Sequence, residues 1–372
     1  MPVIDQFLKK AVELKASDFH VVTDSPPIFR INGELKKFPY QALTFEQARS
    51  LIGEVLTDPQ RDRFARFGHV DFSYDVPGVA RFRVNVLRSR KGLDAEFRTI
   101  SYQIPTLDSL GMPPVVTRLT RHHQGIVLVT GPTGHGKTTT MAAMVDMIAA
   151  ERRHHIITIE DPIEFLFEPK LAVVNQREVG AHTRSFGSAL RAALREDPDV
   201  IVIGEMRDIE TISLALQAAE TGHLVLGTMM TSNAVRTIDR IIDSFPASQQ
   251  EQVRTSLADA LRGVVSQRLI KRADAQGMVA AVEVLLCTIP IASLIREGKV
   301  YQIPHIMVTG KAQGMVRFDD SLFDLVRTRK ITAEVAYESA TDPKVLQTAI
   351  ASSGVHPATG PVSARAAATR QG

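Results

Sequence analysis

The chain is poor in several of the features that would place it outside an ordinary globular protein. One cysteine, Cys287, stands among 372 residues. Neither a disulfide framework nor a four-cysteine zinc site can form within the chain, and such low cysteine use fits a reducing compartment. No charge of one sign dominates: 44 Lys and Arg face 41 Asp and Glu, for a formal net charge of +3. That is too small an excess to argue for nucleic acid, and interleaved basic and aromatic stretches are absent. No apolar run is long enough to span a bilayer. The N-terminal stretch "MPVIDQFLKKAVELKASD" is charged throughout and lacks the apolar segment of a signal peptide; it reads as an amphipathic helix. No internal repeat is visible. The expectation is a cytoplasmic protein without nucleic acid as partner.

What is present is enough apolar residue, 44%, for a large core, and enough length for two or three domains. Up to about residue 101 short helical and strand patterns alternate. "ARFRVNVL" sets Phe82, Val84 and Val86 on one face and Arg81, Arg83 and Asn85 on the other, the period of a half-buried antiparallel strand. "YQIPTLDSLGMPP", with three prolines and a glycine, predicts a linker over 102–114. Beyond it the pattern changes. "GIVLVT", "HIITIED", "DVIVIGE" and "HLVLGT" are short, fully apolar runs separated by helical stretches, which predicts a mostly parallel sheet covered on both faces. This second domain is expected over 115–352. The small, polar, proline-bearing segment 353–372 reads as a disordered tail.

"GPTGHGKT", Gly131 to Thr138, satisfies G-x-x-x-x-G-K-[ST]. Glycines allow backbone N–H groups to close around phosphate oxygens, Lys137 brings a positive charge to the β- and γ-phosphates, and the Thr138 hydroxyl can ligate Mg²⁺. The setting supports the pattern: an apolar strand precedes it, and Met141, Met144, Val145 and Ile148 give the following helix an apolar face. The expected cradle is Gly131, Pro132, Thr133, Gly134, His135, Gly136, Lys137, Thr138 and Thr139. Hydrolysis also needs acids. "IITIEDPIEF" puts Glu160, Asp161 and Glu164 at the end of one buried strand, and "DVIVIGEMRD" puts Glu205 after another, where ligands of parallel sheets bind. One acid should hold Mg²⁺ and one should orient the attacking water. Helix N-capping is the competing role for Asp208. The adjacent pairs His122–His123 and His154–His155 have poor spacing for a metal and read as surface or strand-entry residues. His223 opens an apolar strand and is expected to aim at the phosphates.

"GPTGHGKTTT", "TIEDPIEF", "NQREVG", "LREDPDVIVIGEMRD", "AAETGH" and "TIDRIIDSFP" together resemble the secretion-type hexameric ATPases, and among them the pilus-retraction, or twitching-motility, ATPases. "ASDFHVVTDSPPIFRINGEL" resembles the start of their N-terminal domain, and "IPIASLIREGK" a short C-terminal motif linked with retraction. The resemblance covers roughly residues 3 to 345. It implies a PAS-like N-terminal α+β domain, a RecA-like P-loop ATPase domain, ATP and Mg²⁺ as ligands, and a ring of six. It implies Lys137 and Thr138 on phosphates and metal, Glu164 positioning water, Glu205 as the acid beside Mg²⁺, and His223 as the first histidine of a histidine box. Arg240, and Arg81, Arg83 or Arg98 of a neighbouring subunit, could reach the transferred phosphate. The implied partners are five further copies, a membrane platform protein of the pilus and a paralogous pilus ATPase. The implied location is the cytoplasmic side of the inner membrane at the pilus base.

One turn departs from the pattern. Members usually read "GTLHT" where this chain reads "GTMMT", so Met230 replaces a histidine. A thioether donates no hydrogen bond and carries no charge, though it fills the same space. Three readings follow: a retraction motor, an accessory nucleotide-binding subunit that hydrolyses slowly, and a RecA-like nucleic-acid motor. Pilus-extension and type II secretion ATPases usually carry a four-cysteine zinc motif, which one cysteine excludes. Retraction is therefore preferred.

Overall fold

Residues 80–88 alternate buried and partly exposed side chains along one strand, as the period of two in "ARFRVNVL" requires. That strand is the fifth of six that make an antiparallel sheet. The strands are β1 (Asp18–Val21), β2 (Ile28–Ile31), β3 (Glu34–Lys37), β4 (His69–Val76), β5 (Ala80–Arg88) and β6 (Leu93–Ile100), in the order β3-β2-β1-β6-β5-β4. Here the computed structural model describes residues 2–31, 33–100 and 103–353.

The amphipathic N-terminus is helical over Ile4–Glu13 and buries Ile4, Leu8 and Ala11. Two further helices, Phe45–Gly53 and Asp58–Phe67, each start at a threonine that forms a reciprocal capping box with a glutamine three residues on. Such a box satisfies two backbone donors that the first helical turn would otherwise leave unpaired. The core is aromatic: Phe19, Phe29, Phe82 and Phe97 are fully buried. Ring centroids lie 4.9 Å apart for Phe19–Phe29 and 5.7 Å for Phe19–Phe97, in the range where aromatic pairs attract.

The second sheet has seven strands: β7 (Gly125–Thr130), β8 (His155–Glu160), β9 (Val173–Glu178), β10 (Val200–Ile203), β11 (Leu224–Met229), β12 (Leu261–Lys271) and β13 (Met278–Leu286). Their order is β13-β12-β7-β11-β10-β8-β9. β8, β10, β11, β7 and β12 run parallel, and β13 returns antiparallel to β12. The four apolar runs are the four central strands. Every residue of β7, β10 and β11 is buried, as helices on both faces demand. Three of the helices that follow are capped by the side chains of Ser185, Asp208 and Asn233, each accepting a backbone N–H three residues on. Asp208 therefore has the capping role. A separate apolar cluster joins Ile270 and Ala281 to Phe318, Leu322, Val326, Ile331 and Leu346 of the C-terminal helices.

The chain divides into two compact units. The first runs through Ile104 and also includes Glu160–Pro169 and Gln176–Arg184; the second comprises Pro105–Ile159, Lys170–Asn175 and the residues from Ser185 onward. The linker expected over 102–114 behaves differently from a free connector. From Pro105 it belongs to the second unit, with Leu107 and Met112 buried, because those two apolar side chains anchor it. The last helix is Pro343–Ser352; residues 354–372 of the expected tail lie outside the described residues. Among the described residues no helix is long and apolar enough to cross a membrane.

Candidate functional site

The loop from Gly131 to Gly136 leaves the carboxyl end of β7 and enters the helix Lys137–Glu151, which buries Met141, Met144, Val145 and Ile148. Its glycines are there for conformation. Gly131 (φ +148°) and Gly136 (φ +81°) adopt angles that side chains disfavour, and a Cβ on Gly131 would stand 2.3 Å from the Gln267 carbonyl oxygen. The Lys137 ammonium donates to the carbonyls of Gly131 (2.8 Å) and Pro132 (2.9 Å), so it lies across the mouth of the loop. Pro132, Thr133 and Gly134 are exposed; His135, Gly136, Thr138 and Thr139 are half-buried. The His135 imidazole accepts the Leu269 N–H through Nδ1 at 2.9 Å. Burial first, then the charges of Arg268 and Lys137, hold that ring below its usual pKa. A cavity of about 240 Å³ borders the loop, lined by Gly136, Thr139, Thr140, Leu110 and Leu269 among others.

Beside the loop run the carboxyl ends of β10 and β11. Gly204 donates to Ile159 O (2.8 Å) and Met206 to Thr228 O (2.9 Å). The Thr228 hydroxyl bonds the Gly204 carbonyl. Between Gly204 and Met206 stands Glu205, largely buried and paired with Arg207. The turn after β11 answers the question its two methionines raise. Met229 is 3% exposed and belongs to the core, whereas Met230 is 50% exposed. The Met230 sulfur accepts the Thr133 hydroxyl of the glycine loop at 3.5 Å. The turn is held by a Thr231–Thr237 hydroxyl bond (2.7 Å), by Asn233 capping the next helix, and by the half-buried Glu283 carboxylate accepting the Ala234 N–H (2.8 Å). Arg240 lies on the exposed side of that helix.

His223 is a correction. β11 is parallel to β7, with Leu224 opposite Gly125 and Met229 opposite Thr130. His223 therefore sits at the amino end of its strand, and the phosphate loop leaves the carboxyl end of β7. Gly131, where the loop begins, is level with Met230, seven residues from His223, so at about 3.3 Å per residue the two lie roughly 23 Å apart along the sheet. The His223 Nδ1 lies 2.9 Å from the Ala218 carbonyl and 3.3 Å from the Thr221 hydroxyl. It does not aim at the phosphate loop of its own chain. Opening the strand was the wrong signal, because ligands gather where parallel strands end.

The remaining residues fall in the first unit. Glu164 pairs with Arg83 (Oε1–Nη1 3.2 Å). The neighbouring Ile163 carbonyl accepts from Arg81 Nε (3.0 Å) and Ser73 Oγ (2.9 Å), and its N–H donates to Glu178 (3.0 Å). Glu160 accepts from Gln176 Nε2 at 3.1 Å. The exposed faces of β4 and β5 thus fix the segment that carries Glu164. Arg98 is engaged elsewhere, with Asp18 at 3.0 Å. Burial opposes ionisation of Asp18, but the hydrogen bonds from Arg98 and Ser17 outweigh it and hold the carboxyl below its usual range. Arg81, Arg83 and Arg98 all have partners within their own chain.

Sequence reasoning missed Gln267. Its only signal is a polar stretch, Ser266–Gln267–Arg268, between apolar residues of β12. Ser266 and Gln267 are buried: Ser266 bonds Thr130 at the end of β7 (2.8 Å), and Gln267 reaches the loop, bonding Thr140 (2.8 Å) and the His135 carbonyl (2.7 Å). No group of three or more His, Cys, Asp or Glu among the described residues could hold a metal by itself.

A sequence model of the type II/IV secretion system protein family matches residues 1–287. The type IV pilus retraction ATPase PilT of Pseudomonas aeruginosa is 48% identical over 341 residues, which cover 92% of this chain and 99% of that protein. A twitching motility protein of Neisseria gonorrhoeae is 46% identical over 314 residues, 84% of each chain. A crystal structure of the pilus retraction motor PilT with bound ADP superposes with a TM-score of 0.86 at 46% identity, covering 94% of this chain and 99% of that one. These matches run through both units, so the chain belongs to the type II/IV secretion system protein family and is a PilT-like ATPase within it.

Proposed function

We propose that the chain is the ATP-hydrolysing motor subunit of type IV pilus retraction. It would work as a homohexamer on the cytoplasmic side of the inner membrane, against a platform protein and alongside a paralogous pilus ATPase. The observation that carries this reading is the combination of end-to-end likeness to PilT with an intact phosphate loop closed by Lys137. The near-neutral charge balance supports no nucleic-acid role.

The residues at the loop suit Mg-ATP. Gly131 leaves no room for a side chain against Gln267, so loop N–H groups are open to phosphate oxygens, with Gly134, His135 and Thr139 completing the cradle. Lys137 would exchange its two carbonyl partners for the β- and γ-phosphates. Thr138 and Glu205 would hold Mg²⁺, which would neutralise phosphate charge when bound. Glu164 would orient the attacking water. A neighbouring subunit's arginine would stabilise charge on the transferred phosphoryl group. Arg83, with 38% of its side chain exposed, gives up one partly exposed ion pair to do so. Arg98 would have to abandon an Asp18 carboxyl only 6% exposed, which is costly. Arg81 and Arg240 are the further candidates.

Met230 favours one second reading, a slow accessory subunit, because no imidazole reaches toward the loop from that turn. A deletion strain separates the two. Loss of twitching with surface pili retained, restored by the wild-type gene and not by Lys137→Ala, supports the motor. Normal twitching in the deletion strain would reject it.

A further inference from the structure

We infer that Gln267 of β12 is a positioning residue for ATP: it holds the start and end of the phosphate loop at the spacing a triphosphate requires. The inference rests on the nucleotide-binding reading of the loop.

The Gln267 side chain is only 3% exposed and lies in the middle of β12, between Ser266 and Arg268. Amides are rarely placed there without a use, since a buried amide lacking partners costs free energy. Here both ends are used, and both uses are on the loop. The His135 carbonyl can only accept, so the atom facing it is Nε2, at 2.7 Å. Oε1 is thereby turned to the Thr140 hydroxyl, at 2.8 Å. The backbone of the same residue sets a third point: its carbonyl oxygen is the atom a Gly131 side chain would strike. One residue therefore touches the first residue of the loop, its fifth residue, and the first turn of the helix that follows. Leu269, two residues on, holds the His135 ring. Gly136, which must take a left-handed angle to start the helix, has the Gln267 amide against the place of its absent Cβ, at 3.1 Å.

Lys137 and Thr138 lie between the two points that the amide bridges, His135 and Thr140. Without the bridge, the His135 peptide can rotate and the helix start can move away from β12. Backbone donors then lose the alignment on which phosphate binding depends, although no group that touches phosphate has been removed. This predicts a loss in affinity rather than in chemistry.

The test uses the full-length chain and measures ATP and ADP affinity by calorimetry, KM and kcat for ATP, and the rise in melting temperature on adding Mg-ATP. Gln267→Met keeps length and volume and removes both hydrogen bonds. It should weaken nucleotide binding and raise KM by about tenfold or more, while kcat changes less than about threefold. Gln267→Glu keeps the acceptor for Thr140 and sets an oxygen against the His135 carbonyl; it should weaken binding as well. Thr140→Val added to Gln267→Met should cost little more, because its partner is already gone. A purely structural role would lower the melting temperature of the nucleotide-free protein and leave affinity, KM and the Mg-ATP-induced rise unchanged. That result in either Gln267 variant overturns the inference, and if Gln267→Met fails to fold, Gln267→Glu decides. Lys137→Ala is the companion arm. If it weakens ATP binding and the Gln267 variants do not, only this inference falls. If it leaves binding unchanged, the nucleotide reading of the loop falls with it.

Discussion

Replacing Met230 with histidine tests whether the turn after β11 reads the nucleotide. The thioether accepts from Thr133 of the phosphate loop at 3.5 Å and the side chain is 50% exposed. An imidazole there reaches the loop without entering the core. Surface substitutions usually change stability within about 0.5 kcal/mol. For a unit of this size that is about 1–2 °C in melting temperature. The benefit falls on turnover. A neutral hydrogen bond contributes about 0.5–1.5 kcal/mol net and one to a charged group about 1.5–3. If the bond forms only in the transition state, the rate rises roughly 2- to 100-fold. ATP affinity should barely move. The assay is steady-state ATP hydrolysis with a thermal melt on the same sample, and Met229→His is the control, since Met229 is 3% exposed. That control should lower the melting temperature by several degrees, because a buried imidazole without a partner costs about 1–3 kcal/mol. Unchanged or reduced turnover in Met230→His, with its stability intact, would refute the sensing role.

Other outcomes follow from the same geometry. Lys137→Ala removes the ammonium at the loop mouth and should weaken ATP binding at least about tenfold by calorimetry. Glu164→Gln should bind nucleotide and lose most turnover, as an isosteric amide is a poor base; if Glu205→Gln abolishes turnover and Glu164→Gln does not, the two acids have been assigned the wrong way round. Mixing Lys137→Ala subunits with Arg83→Ala subunits should lower activity non-linearly with subunit fraction, and a linear dependence, or a monomer by light scattering, counts against the ring. Arg98→Gln should lower stability to urea at neutral pH. Asp18 has a folded pKa below its ordinary 3.8, so its stabilisation is present above that value and is lost as pH falls through the folded pKa. The difference between Arg98→Gln and wild type should therefore shrink in acid.

The sheets were largely legible, for physical reasons. Four unbroken apolar runs can only be central parallel strands, and "ARFRVNVL" can only be a strand wet on one face. The phosphate loop was legible because its glycines and lysine sit at fixed offsets between a strand and a helix. What could not be read is what depends on register and on distant contacts. His223 looked poised for the phosphates until pairing with β7 put it at the opposite end of the strands. The prolines of 102–114 read as a connector, yet Leu107 and Met112 pin most of it to the second unit. Arg83 and Glu164 are 81 positions apart, and nothing local says that they meet. Gln267 acts across a strand pairing that sequence pattern does not reveal.

The pairing of β11 has a mechanical side. The strand is hydrogen-bonded on both edges, to β7 and to β10, with His223 before its first residue and Met230 after its last. A strand held in this way is tied to both neighbours along its length. A displacement at the Met230 end that β7 and β10 do not share would have to break ladder bonds on both sides at once. His223 and Met230 thus mark the two ends of one strand that cannot shift without its neighbours.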